Sequence, residues 1–210
     1  MSYNFRDHIK NNPYATTIVS NNHKPKFIFM KIGRTGGTAI HNAIGRHHEE
    51  VSLPYFLKLN NGSDFIENYI NDKNIKEYFI FTFTRNPFER LVSAWKAFKY
   101  KGVNNNFKEF IKFRGSGHWL KKDGEVSNDH WLPQEKYVEY SNKEQFANFI
   151  GKFENLEEDW KIVSKKIGNK RNIKITANNS KNYRSFYTDE LKEIVSDFYK
   201  RDLELFNYKF

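Results

Sequence analysis

Apolar positions in this 210-residue chain fall into short runs and helical stripes separated by polar turns. Phe27-Ile28-Phe29-Met30 is an apolar run of strand length, which predicts a buried strand. The turn Thr35-Gly36-Gly37-Thr38 follows at once, and Ala39, Ile40, Ala43 and Ile44 then recur at helical spacing. Tyr78 to Thr84 (YFIFTFT) alternates and is rich in β-formers, so it predicts a second strand. Pro87 stands where a first helical residue would, its missing N–H harmless there. Phe88, Leu91, Val92, Trp95 and Phe98 then mark one face of an amphipathic helix. Two strand–turn–helix units predict an α/β domain with a parallel sheet.

The flanks are less patterned. Residues 1–25 are polar and Asn-rich and read as an N-terminal arm, leaving residues 27–208 as the core of a single domain. Segment 101–129 carries Gly102, Gly115, Gly117, Gly124 and an Asn run, and reads as a looser stretch with one short helix. Leu156, Trp160, Val163 and Ile167 predict a further helix, residues 173–176 a short strand, and Leu191, Ile194, Val195, Phe198 and Tyr199 a last helix. The tail Leu203 to Tyr208 is apolar enough to dock on the domain.

Composition narrows the chemistry. Aromatic residues reach 17%, which excludes intrinsic disorder. The absence of Cys removes disulfides, thiolate metal sites and Cys nucleophiles together. No apolar run approaches the ~20 residues of a membrane span, and the start shows no leader pattern, so a cytoplasmic protein without a transmembrane segment is expected. Thirty-five Lys and Arg stand against 25 Asp and Glu, a formal charge of +10 that calls for an anionic partner.

Two turns offer a place for that anion. In Lys31-Ile32-Gly33-Arg34-Thr35-Gly36-Gly37-Thr38-Ala39, a glycine-rich turn leads from a strand into a helix. Such a turn aims backbone N–H groups at one point, and the helix N-terminus adds about half a positive charge. Thr35 and Thr38 add hydroxyls, and Arg34 adds a forked cation. The GK[ST] ending of a Walker A loop is absent, which disfavours a kinase or ATPase. The plainer reading is an ordinary βα turn. In Thr84-Arg85-Asn86-Pro87-Phe88-Glu89-Arg90-Leu91-Val92-Ser93, Arg85 lies at the carboxyl end of its strand, where α/β sheets place ligands. Ser93 shares a helix face with Arg90. The plainer reading here is a local ion pair for Arg85.

Together KIGRTGGTA and FTFTRNPFERLVSAW resemble the signature of sulfotransferases that use 3′-phosphoadenosine 5′-phosphosulfate (PAPS). The resemblance is closest to the carbohydrate sulfotransferase branch, in a bacterial- or viral-type member. His130-Trp131-Leu132-Pro133-Gln134, the stretch Phe149 to Trp160, and Tyr183 to Tyr208 agree in order and spacing, so the similarity covers about residues 27–208. It implies a three-layer fold of P-loop-NTPase-like type, with a central parallel sheet flanked by helices. It implies that Arg34, Thr35, Gly36, Gly37, Thr38 and Ala39 bind the 5′-phosphosulfate of PAPS. It further implies that Arg85 and Ser93 hold the 3′-phosphate, and that Ser180, Lys181, Tyr183 and Arg184 border the nucleotide. The family usually has Lys where Arg34 stands; Arg keeps the charge but does not give up a proton. Lys31 is a possible substitute whose direction strand alternation leaves open.

Sulfuryl transfer to a hydroxyl needs a base for the acceptor's proton and, in this family, no metal. His130 is the first choice and His48 the second, with His47, His41 and Glu50 as alternatives. Glu154 and Asp159 read as helix-terminus acids rather than a catalytic pair. The expected acceptor is a carbohydrate or glycolipid, with Trp119 and Trp131 able to stack on sugar faces. Two other classes stay open. A P-loop-like nucleotide phosphotransferase would need Mg²⁺ ligands and a Walker lysine. A nucleic-acid-binding module would suit the charge and the aromatics, yet the Lys and Arg residues are scattered and no nucleic-acid motif is present, so no nucleic acid beyond the donor nucleotide is expected.

Overall fold

The two apolar runs pair side by side, and the alternation within each sorts their side chains onto two faces. A computed structural model describes residues 16–20, 22, 24–45, 49–52, 76–98, 106–112, 129–139, 143–173, 175, 180 and 182–210. Among these, β1 (Thr16–Ser20), β2 (Lys26–Met30), β3 (Glu49–Ser52), β4 (Tyr78–Thr84) and β5 (Phe149–Lys152) form one sheet in the order β3-β1-β2-β4-β5. The helices are α1 (Gly37–Ile44), α2 (Pro87–Phe98), α3 (Phe107–Phe110), α4 (Leu156–Lys166), α5 (Asp189–Phe198) and α6 (Lys200–Leu205). No helix among the described residues is long and apolar enough to cross a membrane.

Ile28, Met30 and Ile80 pack with Phe88, Leu91 and Val92 of α2 and Leu191 and Val195 of α5. Phe27, Phe29, Phe81 and Phe83 face the opposite way, onto Ile40, Ala43 and Ile44 of α1 and Leu156, Trp160 and Val163 of α4. The sheet is thus a middle layer with a helical layer on each side, the α/β arrangement expected of buried parallel strands.

Three expectations need correction. The sheet is mixed: β2, β4 and β5 run parallel, but β1 is antiparallel to both β2 and β3. Residues 16–20 are therefore a strand inside the sheet and not part of an arm. Ile18 and Val19 are fully buried, so this strand completes the hydrophobic layers that β2 alone would leave uncovered. Ile173 is also buried, but neither it nor Ile175 is in a strand. The docked tail holds as read, with Phe206 and Tyr208 buried. His47, His48, Trp119 and Lys181 lie outside the described residues.

Candidate active site

Because β2 and β4 are parallel neighbours with Met30 opposite Thr82, their two following turns emerge at the same end of the sheet. The first turn is wound tightly. Thr35 Oγ1 donates to the Ile32 carbonyl at 2.9 Å, so its hydroxyl proton is used within the turn. Arg34 has φ +71° and Gly36 φ +82°. The left-handed φ favours glycine at position 36, where a Cβ would also lie 2.6 Å from Leu156 Cδ2. α1 starts directly afterwards, with the Ala39 N–H donating to the Gly36 carbonyl at 2.9 Å and Thr38 exposed in its first turn. Lys31 lies against this start: a Cβ on Gly37 would come within 2.8 Å of Lys31 Cγ. Its stem therefore runs toward the N-terminus of α1.

The second turn is capped by its own side chain. Asn86 Oδ1 accepts from the Phe88 N–H at 3.1 Å, and Asn86 Nδ2 donates to the Lys209 carbonyl at 2.7 Å. Glu154 Oε1 accepts from the Asn86 N–H at 2.8 Å, and its other oxygen accepts from the Tyr208 hydroxyl at 3.0 Å. Asp159 accepts from the Lys152 N–H at 2.7 Å. Asp159 thus holds local backbone and Glu154 ties the second turn to the C-terminal tail, rather than the two standing as a carboxylate pair.

The turns are joined by arginines. Arg34 donates from Nε and Nη2 to Ser93 Oγ at 3.2 and 3.0 Å. Arg85 Nη1 donates to the Arg34 carbonyl at 3.1 Å, which helps hold Arg34 in its left-handed conformation. Arg90 Nε donates to the Gly33 carbonyl at 2.9 Å. Burial lowers the Arg34 guanidinium below its ordinary pKa, and the charges of Arg85 and Arg90 push it the same way. Arg85 is likewise lowered by burial, opposed by Glu89, whose Oε1 accepts from Arg85 Nη2 at 3.0 Å. Among the described residues no carboxylate pairs with Arg34. The local ion pair of Arg85 is real, and it coexists with the link to the first turn. Phe153 lies under the guanidinium, 3.9 Å from Cζ to the ring centroid.

The remaining residues divide. Buried Ser180 accepts from Arg85 Nη2 and donates to Glu89 Oε1 at 3.4 Å. Tyr183 is buried and accepts from Asn86 Nδ2 at 3.5 Å, while Arg184 is exposed with its guanidinium 4.7 Å from the Tyr183 ring centroid. His130 sits against the first turn: a Cβ on Gly33 would fall 2.5 Å from His130 Nδ1. His41 lies one turn into α1, half-buried, and Glu50 belongs to β3 on the antiparallel side of the sheet. Trp131 is 1% exposed and packs edge-on to Phe110, so it is core and has no face for a sugar.

Sequence reasoning missed the backing of Arg85. Gln134 Oε1 accepts from the Arg85 N–H at 2.9 Å, and Gln134 Nε2 donates to the Arg85 carbonyl at 2.8 Å. Asp202 in turn accepts from the Gln134 N–H at 2.8 Å and the Glu135 N–H at 2.9 Å. Gln134 was visible as part of HWLPQ, but nothing local marks a partner 68 residues away.

An uncharacterized protein of Archaeoglobus fulgidus is 34% identical over 124 residues, which are 57% of this chain and 93% of that protein. No solved structure matches the chain. The description of the family whose pattern the chain does match, over residues 15–209, is "Sulfotransferase family". That span takes in the whole sheet and both arginine-bearing turns, and the chain belongs to the sulfotransferase family.

Proposed function

We propose that this protein transfers the sulfuryl group of PAPS to a hydroxyl of a carbohydrate or glycolipid acceptor, with Arg34 as the principal cation and His130 as the base. One observation carries the reading. Arg85 and Arg90 donate to the Arg34 and Gly33 carbonyls of a glycine-rich turn at a helix N-terminus, and among the described residues both of their charges oppose that of the half-buried Arg34 guanidinium. An anion with several charges relieves that excess, and the donors present suit phosphate and sulfate oxygens.

In this reading the turn from Arg34 to Ala39 holds the 5′-phosphosulfate through the amides ahead of Ala39, whose own N–H closes on Gly36, and through the Arg34 N–H groups not given to Ser93. Ser93 accepts from Arg34 and still has its own hydroxyl proton to donate to the 3′-phosphate, toward which Arg85 supplies charge. Ser180, Tyr183 and Arg184, with Lys181 between them in sequence, border the nucleotide. PAPS supplies an activated sulfuryl group whose bond to the 5′-phosphate breaks as a bond to the acceptor oxygen forms. His130 takes the acceptor's proton, and Arg34, permanently charged, stabilises the departing phosphate without donating a proton. Lys31, whose stem points to the N-terminus of α1, adds a second positive charge there. His48 is the second choice of base.

The experiment is incubation with sulfur-labelled PAPS and a panel of neutral and anionic saccharides. Label moving to a saccharide with release of one adenosine 3′,5′-bisphosphate per transfer supports the reading. PAPS left intact with every hydroxyl acceptor, simple phenols and alcohols included, contradicts it.

A further inference from the structure

We infer that Gln134, oriented by Asp202, is a positioning residue that aims Arg85 into the nucleotide site; the inference rests on the proposed PAPS reading of that site. Arg85 is the first residue after β4, where its backbone leaves the ladder. Gln134 takes over there with a reciprocal pair of hydrogen bonds, accepting from the Arg85 N–H at 2.9 Å and donating to the Arg85 carbonyl at 2.8 Å. Among side chains in their ordinary ionisation at neutral pH, only a primary amide offers a neutral donor and acceptor side by side in this way. The pair fixes both backbone dihedrals flanking the Arg85 Cα, and therefore the direction in which the side chain leaves.

A carboxamide fits such a site in two orientations, and one of them would oppose like groups. Asp202 chooses between them. Its Oδ2 accepts from Gln134 Nε2 at 3.1 Å and from the Gln134 N–H at 2.8 Å, while Oδ1 accepts from the Glu135 N–H at 2.9 Å. Nε2 is thereby turned to the carboxylate and the Arg85 carbonyl, and Oε1 to the Arg85 N–H. Gln134 and Asp202 are both wholly buried, so water does not substitute for any of these contacts. The same segment ties to the first turn, since Arg90 Nη1 donates to the Leu132 carbonyl at 2.6 Å while Arg90 Nε holds Gly33. His130, four residues before Gln134, is set on Gly33 by the same strap.

The test is calorimetric titration of the full chain with adenosine 3′,5′-bisphosphate. Failure of the unmutated chain to bind it refutes the PAPS reading itself. Given binding, Gln134→Met should raise Kd about ten-fold, the worth of one or two hydrogen bonds, with the stoichiometry still near one. Gln134→Glu should weaken binding at pH 8, where a carboxylate faces both Asp202 and the Arg85 carbonyl. Its Kd relative to the unmutated chain should recover toward pH 6, as the protonated acid donates where the amide did. A Kd unchanged in both variants, or a loss confined to stoichiometry, overturns the inference, because a merely structural role changes how many molecules are competent and not how tightly they bind. Should neither variant fold, hydrogen exchange in the unmutated chain decides. Slower exchange at the Arg85 and Gln134 amides on adding the bisphosphate supports the inference, and unchanged exchange overturns it.

Discussion

Arg34 combines a left-handed backbone, a half-buried guanidinium and two cationic neighbours, each unfavourable without something to offset it. In the proposed function an anion in the turn offsets the charge. Replacing Arg34 by Ala should lower turnover about 10²–10³-fold, the effect of removing one preorganised charge-stabilising donor, and Arg34→Lys should restore most of it, as steady-state kinetics would show. The proposed function gives His130 a different task. His130→Ala should lower turnover by about 10²–10⁴-fold while the Kd for adenosine 3′,5′-bisphosphate stays within about two-fold. Retained turnover would exclude it as the base. Much of this residue-level picture is legible from the chain itself, because Arg34, Arg85 and Ser93 sit in two short motifs. The direction of Lys31 is not, since it lies just past the end of β2 where alternation stops applying. The use of the Thr35 hydroxyl inside its own turn is equally hidden, because a threonine beside two glycines reads the same whether it serves a ligand or the backbone.

At the scale of elements, the strap from His130 to Glu135 and helix α6 form a polar seam behind the site. Glu135 is pushed up to about 7 from an ordinary 4.5, first by burial and then by Asp202, with Lys136 opposing and Glu139 adding to the rise. Between those two values the folded chain holds a proton that the unfolded chain has released. Stability contributed by this group therefore falls as pH rises from about 4.5 to 7 and stays low above. Glu135→Gln should remove that dependence, stabilising the protein by on the order of 2 kcal/mol at pH 8 and by little at pH 5, measured as denaturant midpoints. Helix α5 supplies a control away from the site. Thr188 caps it by accepting from the Leu191 N–H at 3.3 Å, so Thr188→Ala should cost about 1 kcal/mol of stability and leave nucleotide affinity unchanged. The helices were legible from their stripes, α2, α4 and α5 falling where the apolar spacing puts them. Strand β1 was not, because Thr16–Ser20 is short and set among Asn-rich segments, and what makes it a strand is pairing on both edges with β2 and β3. The Gln134–Asp202 contact was invisible for the same reason, as tertiary structure alone brings those residues together.

For the whole molecule, the proposed function has the formal charge of +10 and the arginine-lined turns attract a polyanionic donor before contact. The kcat/KM for PAPS should fall several-fold between about 20 and 200 mM salt while kcat changes little, because screening weakens steering and leaves the buried site intact. The α/β class was readable from two strand–turn–helix units, and the three layers were implied by the family resemblance alone. The antiparallel half of the sheet was not, since direction is set by how β1 and β3 close the edge and no residue type encodes it. The central claim is that the two turns make one site for a single bisphosphorylated adenosine. Calorimetry with adenosine 3′,5′-bisphosphate, against magnesium ATP and a short oligonucleotide, tests it most directly. The account predicts one bisphosphate per chain, bound more tightly than either competitor, with affinity reduced by Arg34→Ala in the first turn and by Ser93→Ala in helix α2, which follows the second. Stronger binding of the oligonucleotide or of magnesium ATP, or bisphosphate affinity indifferent to both substitutions, would contradict it.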